Sequence, residues 1–445
     1  MSRRKIPVAF PRTTGFPFRA RDLRNGLQFG PHRQAPLGQG LLILLAFAAP
    51  FAAAQERSEL RTTRSFSVQD KFTRVESGVP PRSDTSGKIV SLGDHYLMVV
   101  AGNRASSLTT SQLNLLNQSA YDGIAVRFVD AYNPAQLPSA EDMTAKLLDL
   151  KKSSIKDLWP WVSINRMVGR DPEIDNPYGR ETYFTRFHGL DLDGLAGAQD
   201  DFVLLWQNSL RTAKQTHAPG IVADPEFYLN NKAYDPTLLA KQIGRSVDDT
   251  LALLHKLGVR LADAAAKEYP NAVIWFMFTD LGQYGWKVDG NVKYYPTPAY
   301  IVMGMLDQIR DKHYALKLIS GGEIAIGYCS FSVQHLQHKI DVRAQDFAQH
   351  RKNYGESLVL AGTIILWSDR DSMKGFMNVD PCAKSDAKTV EDQQPYLELL
   401  FKTYRYNWIY ATSYSGYDPI NPAVANRFTS VIKKAKAKVA AISAN

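Results

Sequence analysis

Eight short apolar runs, each followed by a stretch with helical spacing, set the narrowest limit on how this chain can fold. The runs are His95–Ala101, Gly123–Val129, Leu158–Asn165, Gly220–Phe227, Ala272–Thr279, Leu316–Gly321, Leu358–Trp367 and Trp408–Ser413. They are rich in Val, Ile, Phe, Trp and Tyr. Nearly all are continuous rather than alternating, as strands covered on both faces must be. The helical stretches are Thr109–Ala120, Ala140–Lys156, Ala198–Thr216, Leu238–Glu268 (one helix or two), Ala299–Lys312, Val333–Tyr354, Glu391–Tyr406 and Pro422–Ala441. Eight strand–helix pairs in about 350 residues predict an α/β fold closed into a (β/α)8 barrel, the TIM-barrel architecture. The competing doubly wound sheet carries a Gly-rich phosphate loop after its first strand, and none follows His95–Ala101.

The N-terminal segment reads differently. Residues 1–40 hold eight basic side chains against the single acid Asp22, a charge of +7. A short apolar run, Leu41–Phe51, follows, and then Ala52-Ala53-Ala54 before Gln55. A basic start, an apolar run too short to span a bilayer as a helix (about 20 residues) and small residues after it predict a signal peptide over 1–54. The alternative is an uncleaved anchor. The signal reading implies a secreted or periplasmic protein with no stable membrane insertion after cleavage. Residues 55–90, rich in Ser, Arg, Thr and Pro, read as a linker or a cap across the barrel bottom, which leaves 91–445 as the barrel. Without the leader the net charge falls from +9 to +2. A near-neutral remainder gives no case for a nucleic-acid partner.

In such barrels the chemistry sits where the strands end, at their C-terminal side. The fourth run ends in Asp224-Pro225-Glu226. Residues two apart on a strand share a face, so both carboxylates point into the mouth. Two close carboxylates cannot both ionise easily, and one is held as a proton donor. Asp280, Glu323 and Asp369 end the fifth, sixth and seventh runs as further catalytic candidates. Asn165 and Arg166 end the third, and Arg166 is the alternative salt-bridge partner for the strand-four acids. Tyr228, Tyr284, Trp286, Trp367, Tyr414 and Tyr417 fall at or just past the mouth, where flat rings stack on sugar faces. Trp159, Trp161, Trp275 and Trp408 lie within or at the start of strands and read as packing. No H-x-H, H-E-x-x-H or G-x-S-x-G spacing occurs, and no metal site, serine elbow or cofactor is expected.

The segment Gly220–Glu226 resembles the strand-four Asp-x-Glu end of chitinase-like, hyaluronidase-like and lysozyme-like barrels. That resemblance implies Glu226 as the acid and Asp224 as the residue that orients a substrate N-acetyl group, itself the nucleophile. Ile221, Val222 and Ala223 stand where the chitinase-like motif has a longer acidic run, and Pro225 replaces its apolar or aromatic middle residue. The chain also resembles the large clan of glycosidases with an acid on strand four and a nucleophile on strand seven, which maps onto Glu226 and Asp369. That clan's Asn-Glu pair is absent here, and Asp replaces its usual strand-seven Glu.

These observations point to a glycoside hydrolase acting on a polysaccharide or glycan, with carbohydrate as its partner. Two alternatives stay open: a non-catalytic barrel that binds glycan or protein, and a hydrolase of other bonds using a carboxylate-bound metal. The two cysteines, Cys329 and Cys382, fall in the loops after the sixth and seventh strands. Those loops are neighbours on one barrel face, so export predicts a disulfide between them, worth about 4 kcal/mol by loop entropy.

Overall fold

Parallel strand pairing in this protein runs once around the sheet and returns to its start. The structure, a computed structural model, describes residues 89, 92–100, 110–127, 139–150, 155–163, 197–225, 234–279, 281, 286–288, 291–327, 329–367, 384–411 and 421–444. All of them belong to the unit Phe47–Asn445. The signal-peptide reading, and the cap reading except at Ile89, lie outside the described residues. The strands are β1 (Tyr96–Val100), β2 (Gly123–Arg127), β3 (Asp157–Ser163), β4 (Gly220–Asp224), β5 (Val273–Phe276), β6 (Trp286–Val288), β7 (Asn291–Tyr294), β8 (Lys317–Ser320), β9 (Leu358–Leu360), β10 (Gly362–Ile365) and β11 (Tyr406–Tyr410). Pairing follows the order β10-β11-β1-β2-β3-β4-β5-β8-β9, and β6 and β7 form a separate antiparallel hairpin. Only Ala361 stands between β9 and β10. These are the lower and upper halves of one seventh strand, and they close the circle between the sixth strand, β8, and the eighth, β11.

The register gives the barrel its type. Met98 pairs with Gly123, and Gly123 with Asp157. Four residues up β3, Trp161 pairs with Val222, which pairs in turn through Trp275 and Ile319 to Val359. Four residues up the seventh strand, Thr363 pairs with Trp408, which pairs with Met98 again. The two steps of four make a stagger of eight residues over eight strands. That is the shear of a TIM barrel.

This register also says which side chains fill the interior. Tyr96, Trp159 and Trp275 belong to the first, third and fifth barrel strands, which are not neighbours, yet their rings meet. The centroids lie 6.4 Å apart for Tyr96–Trp159, 6.1 Å for Tyr96–Trp275 and 5.8 Å for Trp159–Trp275. Such contacts are possible only across the inside of a closed sheet. Trp159 Nε1 donates to Tyr96 Oη at 2.8 Å, and Tyr96 Oη donates to Asp157 Oδ2 at 2.8 Å. Burial pushes the Tyr96 hydroxyl well above its usual pKa, with the Asp157 charge adding to the effect. Gly123 sits beside this string, where a methyl group would overlap the Tyr96 hydroxyl. Nearer the mouth, Trp408 Nε1 donates to the Gly321 carbonyl at 2.9 Å and so links the eighth strand to the end of the sixth. At the bottom, the buried Ile89 donates its amide to Tyr406 Oη at 3.1 Å.

The helices are α1 (Thr110–Gln118), α2 (Ala140–Leu150), α3 (Gly197–Gln215), α4 (Pro236–Ile243), α5 (Val247–Glu268), α6 (Thr297–Lys312), α7 (Glu323–Ile326), α8 (Val333–Tyr354), α9 (Gln394–Thr403) and α10 (Pro422–Ala444). The stretch 238–268 is two helices for local reasons. Gly244 ends α4 in the left-handed region at φ 70°, and Ser246 caps α5 by accepting from the Asp249 amide at 3.1 Å. No described helix is long and apolar enough to cross a membrane.

The interior string makes a stability prediction. Tyr96→Phe keeps the ring but strips the Trp159 N–H of its acceptor and Asp157 of a donor, both in a buried place. Urea denaturation should show a loss of about 1–3 kcal/mol; a variant as stable as the parent would mean that the string contributes nothing.

Candidate active site

The C-terminal ends of the barrel strands bring together only part of what the sequence expects there. β4 delivers Asp224 as its last residue, paired with Ser163 across to β3. Two residues earlier on the same face, Val222 pairs with the interior residues Trp161 and Trp275. Asp224 therefore faces inward, and it is 0% exposed. A carboxylate in such a place is desolvated unless donors reach it. Glu226, its expected companion, lies outside the described residues.

Glu323 does not prolong the sixth strand. It is the first residue of the short helix α7, set back from Ser320 by Gly321 and Gly322. Gly322 takes φ 80°, a left-handed turn that glycine adopts without strain. The Glu323 amide donates to the Met277 carbonyl at 3.1 Å, and the residue is 5% exposed. The turn thus leaves a buried carboxyl group beside the end of β5.

Trp367 follows β10. Gln393 holds its main chain from both sides: Trp367 N donates to Gln393 Oε1 at 3.2 Å, and Gln393 Nε2 donates to the Trp367 carbonyl at 2.8 Å. The amide side chain imitates a neighbouring strand where the seventh leaves the sheet. Trp367 itself is 1% exposed, and its indole Nε1 has no hydrogen-bond partner among the described residues. Trp286 begins the β6–β7 hairpin, an element absent from the sequence reading. Asn165, Arg166, Tyr228, Asp280, Tyr284, Asp369, Tyr414 and Tyr417 lie outside the described residues. Trp159, Trp161, Trp275 and Trp408 are all buried, as packing residues are.

The loops after the sixth and seventh strands are tied together at the rim. Cys329 is buried and disulfide-bonded, and the chain's other cysteine is Cys382, itself outside the described residues. The Asp386 amide donates to the Phe331 carbonyl at 2.8 Å. Tyr396 Oη also reaches that carbonyl at 3.4 Å and forms a short bond to Asp386. Lys339 Nζ donates to the Cys329 carbonyl at 3.0 Å. Phe331 lies flat against His335, with centroids 4.5 Å apart, and donates its amide to His335 Nδ1 at 3.1 Å. Accepting that bond requires a neutral ring. Burial, with Lys339 and His338 nearby, pushes the His335 pKa down to about 4.

Two polar residues behind the mouth escape the sequence reading. Arg343 is fully buried on α8 and Gln393 on the turn before α9. The signal for Arg343 was present: Leu336, Ile340, Phe347 and His350 mark the buried stripe of that helix, and Arg343 stands in it. Among the described residues no group of three or more His, Cys, Asp or Glu is placed to hold a metal ion.

No protein-family model and no curated protein matches the chain. Solved structures resemble the chain at low identity and low structural overlap. A broad-specificity endoglucanase from an uncultured bacterium is 10% identical with a TM-score of 0.42, over 78% of this chain and 94% of that one. The catalytic domain of a β-amylase from Paenibacillus polymyxa is 11% identical with a TM-score of 0.39, over 77% and 99%. A sugar phosphate isomerase/epimerase from Parabacteroides distasonis is 10% identical with a TM-score of 0.33, over 80% and 96%.

His335 sets a pH dependence. Its folded pKa of about 4 lies below the ordinary 6.5, so folding favours the neutral ring. The stability this gives is fully present above pH 6.5 and is lost as the pH falls from 6.5 towards 4. For a half-buried ring the loss at pH 5 is about 1–2 kcal/mol. His350, lowered by burial, acts in the same sense. Denaturation midpoints at pH 7 and pH 5 should differ accordingly, and His335→Asn should flatten the difference; equal slopes in parent and variant would remove His335 as the cause.

Proposed function

We propose that this chain is an exported glycoside hydrolase that cleaves a polysaccharide or glycan by carboxylate acid–base catalysis. The observation that carries the reading is Asp224: a fully buried carboxylate at the mouth end of the fourth strand, facing the barrel interior. Strand alternation in the sequence gives Glu226 the same face one step nearer the opening. A buried acid and a second carboxylate beside it form a pair in which one member stays protonated near neutral pH. That is the proton donor a glycosidic oxygen needs as its bond breaks.

In this scheme Glu226 protonates the leaving oxygen. The second role has two candidates. Asp369 could attack the anomeric carbon from the strand-seven side, forming a glycosyl-enzyme that water then hydrolyses. Alternatively, Asp224 orients an N-acetyl group of the substrate, which supplies the nucleophile itself. Asp280, which follows the fifth strand in the sequence, and the buried Glu323 would be further carboxylates for this scheme. Arg166, Asn165, Tyr228, Tyr284, Trp286, Tyr414 and Tyr417 would line the sugar, while the buried Trp367, expected in the sequence to do the same, packs at the end of the seventh strand.

Replacing Glu226 by Gln keeps shape and removes the proton. Turnover of a responsive glycan should fall by about 10²–10⁴-fold without a large change in melting temperature. Near-parental turnover would clear Glu226. Asp224→Asn and Asp369→Asn measured together choose the second group. If Asp369 is the nucleophile, its carboxyl stands about 5–5.5 Å from that of Glu226, and a gap of about 6.5–9.5 Å means inversion instead. A wild-type protein inert on a broad glycan panel, yet retained on a glycan column, would mark a binding barrel.

Export has its own check. N-terminal sequencing of protein recovered from the periplasm or medium should begin near Gln55. An intact leader on cytoplasmic protein would reject the secreted reading.

A further inference from the structure

Arg343 lies in the middle of α8, and none of it reaches solvent. A buried guanidinium is costly unless strong acceptors surround it. Here the acceptors are two main-chain carbonyls and a hydroxyl. Nη1 donates to the Ala361 carbonyl at 2.6 Å. Nη2 donates to the Ser320 carbonyl at 2.6 Å and to Ser320 Oγ at 3.3 Å. Ser320 Oγ in turn meets Thr279 Oγ1 at 2.9 Å. The rings of Tyr404 and Phe347 lie 5.3 and 5.5 Å from Cζ. Gly322 leaves the space the head group needs, since a methyl there would come within 2.7 Å of Nη1.

The two carbonyls mark special points. Ser320 is the last residue of the sixth strand. Ala361 is the single residue at which the seventh strand changes partners, from β8 below to β11 above. The Ala361 amide is engaged as well, donating to the Ser320 carbonyl at 2.8 Å. One planar fork thus grips both strands from the outer face of the sheet, where they separate. Above that point the upper half of the seventh strand runs on through Ile365 to Trp367, and the sequence continues to Ser368 and Asp369.

We infer that Arg343 is a positioning residue. By fixing the Ser320 and Ala361 carbonyls it sets the direction in which the upper half of the seventh strand enters the mouth. It thereby sets the place of the strand-seven groups used in the reaction. The mechanical part stands on the hydrogen bonds; the catalytic consequence rests on the glycosidase reading proposed above.

Arg343→Lys, in the full mature chain, tests it. Lysine keeps the charge but lacks the planar fork that spans two carbonyls. Amide hydrogen exchange over Gly362–Trp367 should quicken by about tenfold or more, with α1 and α2 unchanged as internal controls. On a responsive glycan kcat should fall about 10–100-fold while KM stays within about twofold, because misplacement acts on the reacting geometry. Should the lysine variant fail to fold, Arg343→Gln, which reaches one carbonyl without charge, is measured in the same way. Unchanged exchange over Gly362–Trp367 overturns the inference whatever the activity. Quickened exchange with unchanged kcat overturns its catalytic half. A wild-type protein inert on every glycan sinks the glycosidase reading and that catalytic half with it, while the exchange pattern still decides the mechanical one.

Discussion

A closed parallel sheet has no edge, so every strand must satisfy hydrogen-bonding groups on both its sides at once. In this protein the demand is sharpest at the seventh strand. β9 pairs only downward with β8, and β10 only upward with β11, so the circle closes through Ala361. The stagger that gives the barrel its shear of eight is taken up at two places, one on β3 and one here. A shift of one residue at Ala361 would turn Thr363 and Ile365 from the interior to the helical layer and break the pairing with Trp408 and Tyr410. Arg343 fits into this junction, roofed by Gly322 and flanked by Tyr404 and Phe347, in a part of the sheet where side chains from α8 and α9 also converge.

Inside, the barrel is filled unevenly. Aromatic side chains crowd the first, third, fifth and eighth strands, and Gly123 and Gly321 leave them room: a methyl at Gly123 would meet Tyr96 and Trp159, and one at Gly321 would come within 2.9 Å of Trp408 Nε1. Large rings thus fit because particular neighbours have almost no side chain. Several polar atoms of those rings are paired: Tyr96, Trp159 and Asp157 satisfy one another, and Trp408 reaches the carbonyl at which the sixth strand turns away, whereas Trp275 Nε1 has no hydrogen-bond partner among the described residues. The same bonds that let Trp and Tyr be buried therefore tie non-neighbouring strands together across the interior.

Much of the architecture was legible in the sequence because strands covered on both faces leave continuous apolar runs, and this chain has eight of them. Most boundaries that fall on described residues agree within a few residues, Val333–Tyr354 is matched end to end, and the helix expected to run to Lys156 ends at Leu150 instead. What escaped has identifiable causes. The partner change at Ala361 is invisible because it depends on which strand lies on each side. The β6–β7 hairpin is short, with apolar residues only in alternation, and has no run long enough to read. Tyr406 and Asn407 open the eighth strand two residues before Trp408; the Tyr406 hydroxyl finds its partner, the Ile89 amide, only in the folded barrel. Of the candidate site, Asp224 could be placed from strand alternation alone. Glu323 could not, since a glycine pair turns the chain before it. Arg343 and Gln393 bind main-chain atoms distant in sequence, and no local pattern announces such partners.

The crowd of rings in the lower barrel has a consequence for traffic. Tyr96, Trp159 and Trp275 meet in the middle, and the Ile89 amide is bound to Tyr406 beneath them. The barrel is a cup with a floor, not a tube. Any molecule that uses the rim enters and departs by one opening. A long polymer has to lie across that opening with both its ends outside, or offer a single terminus downward and withdraw it by the way it came.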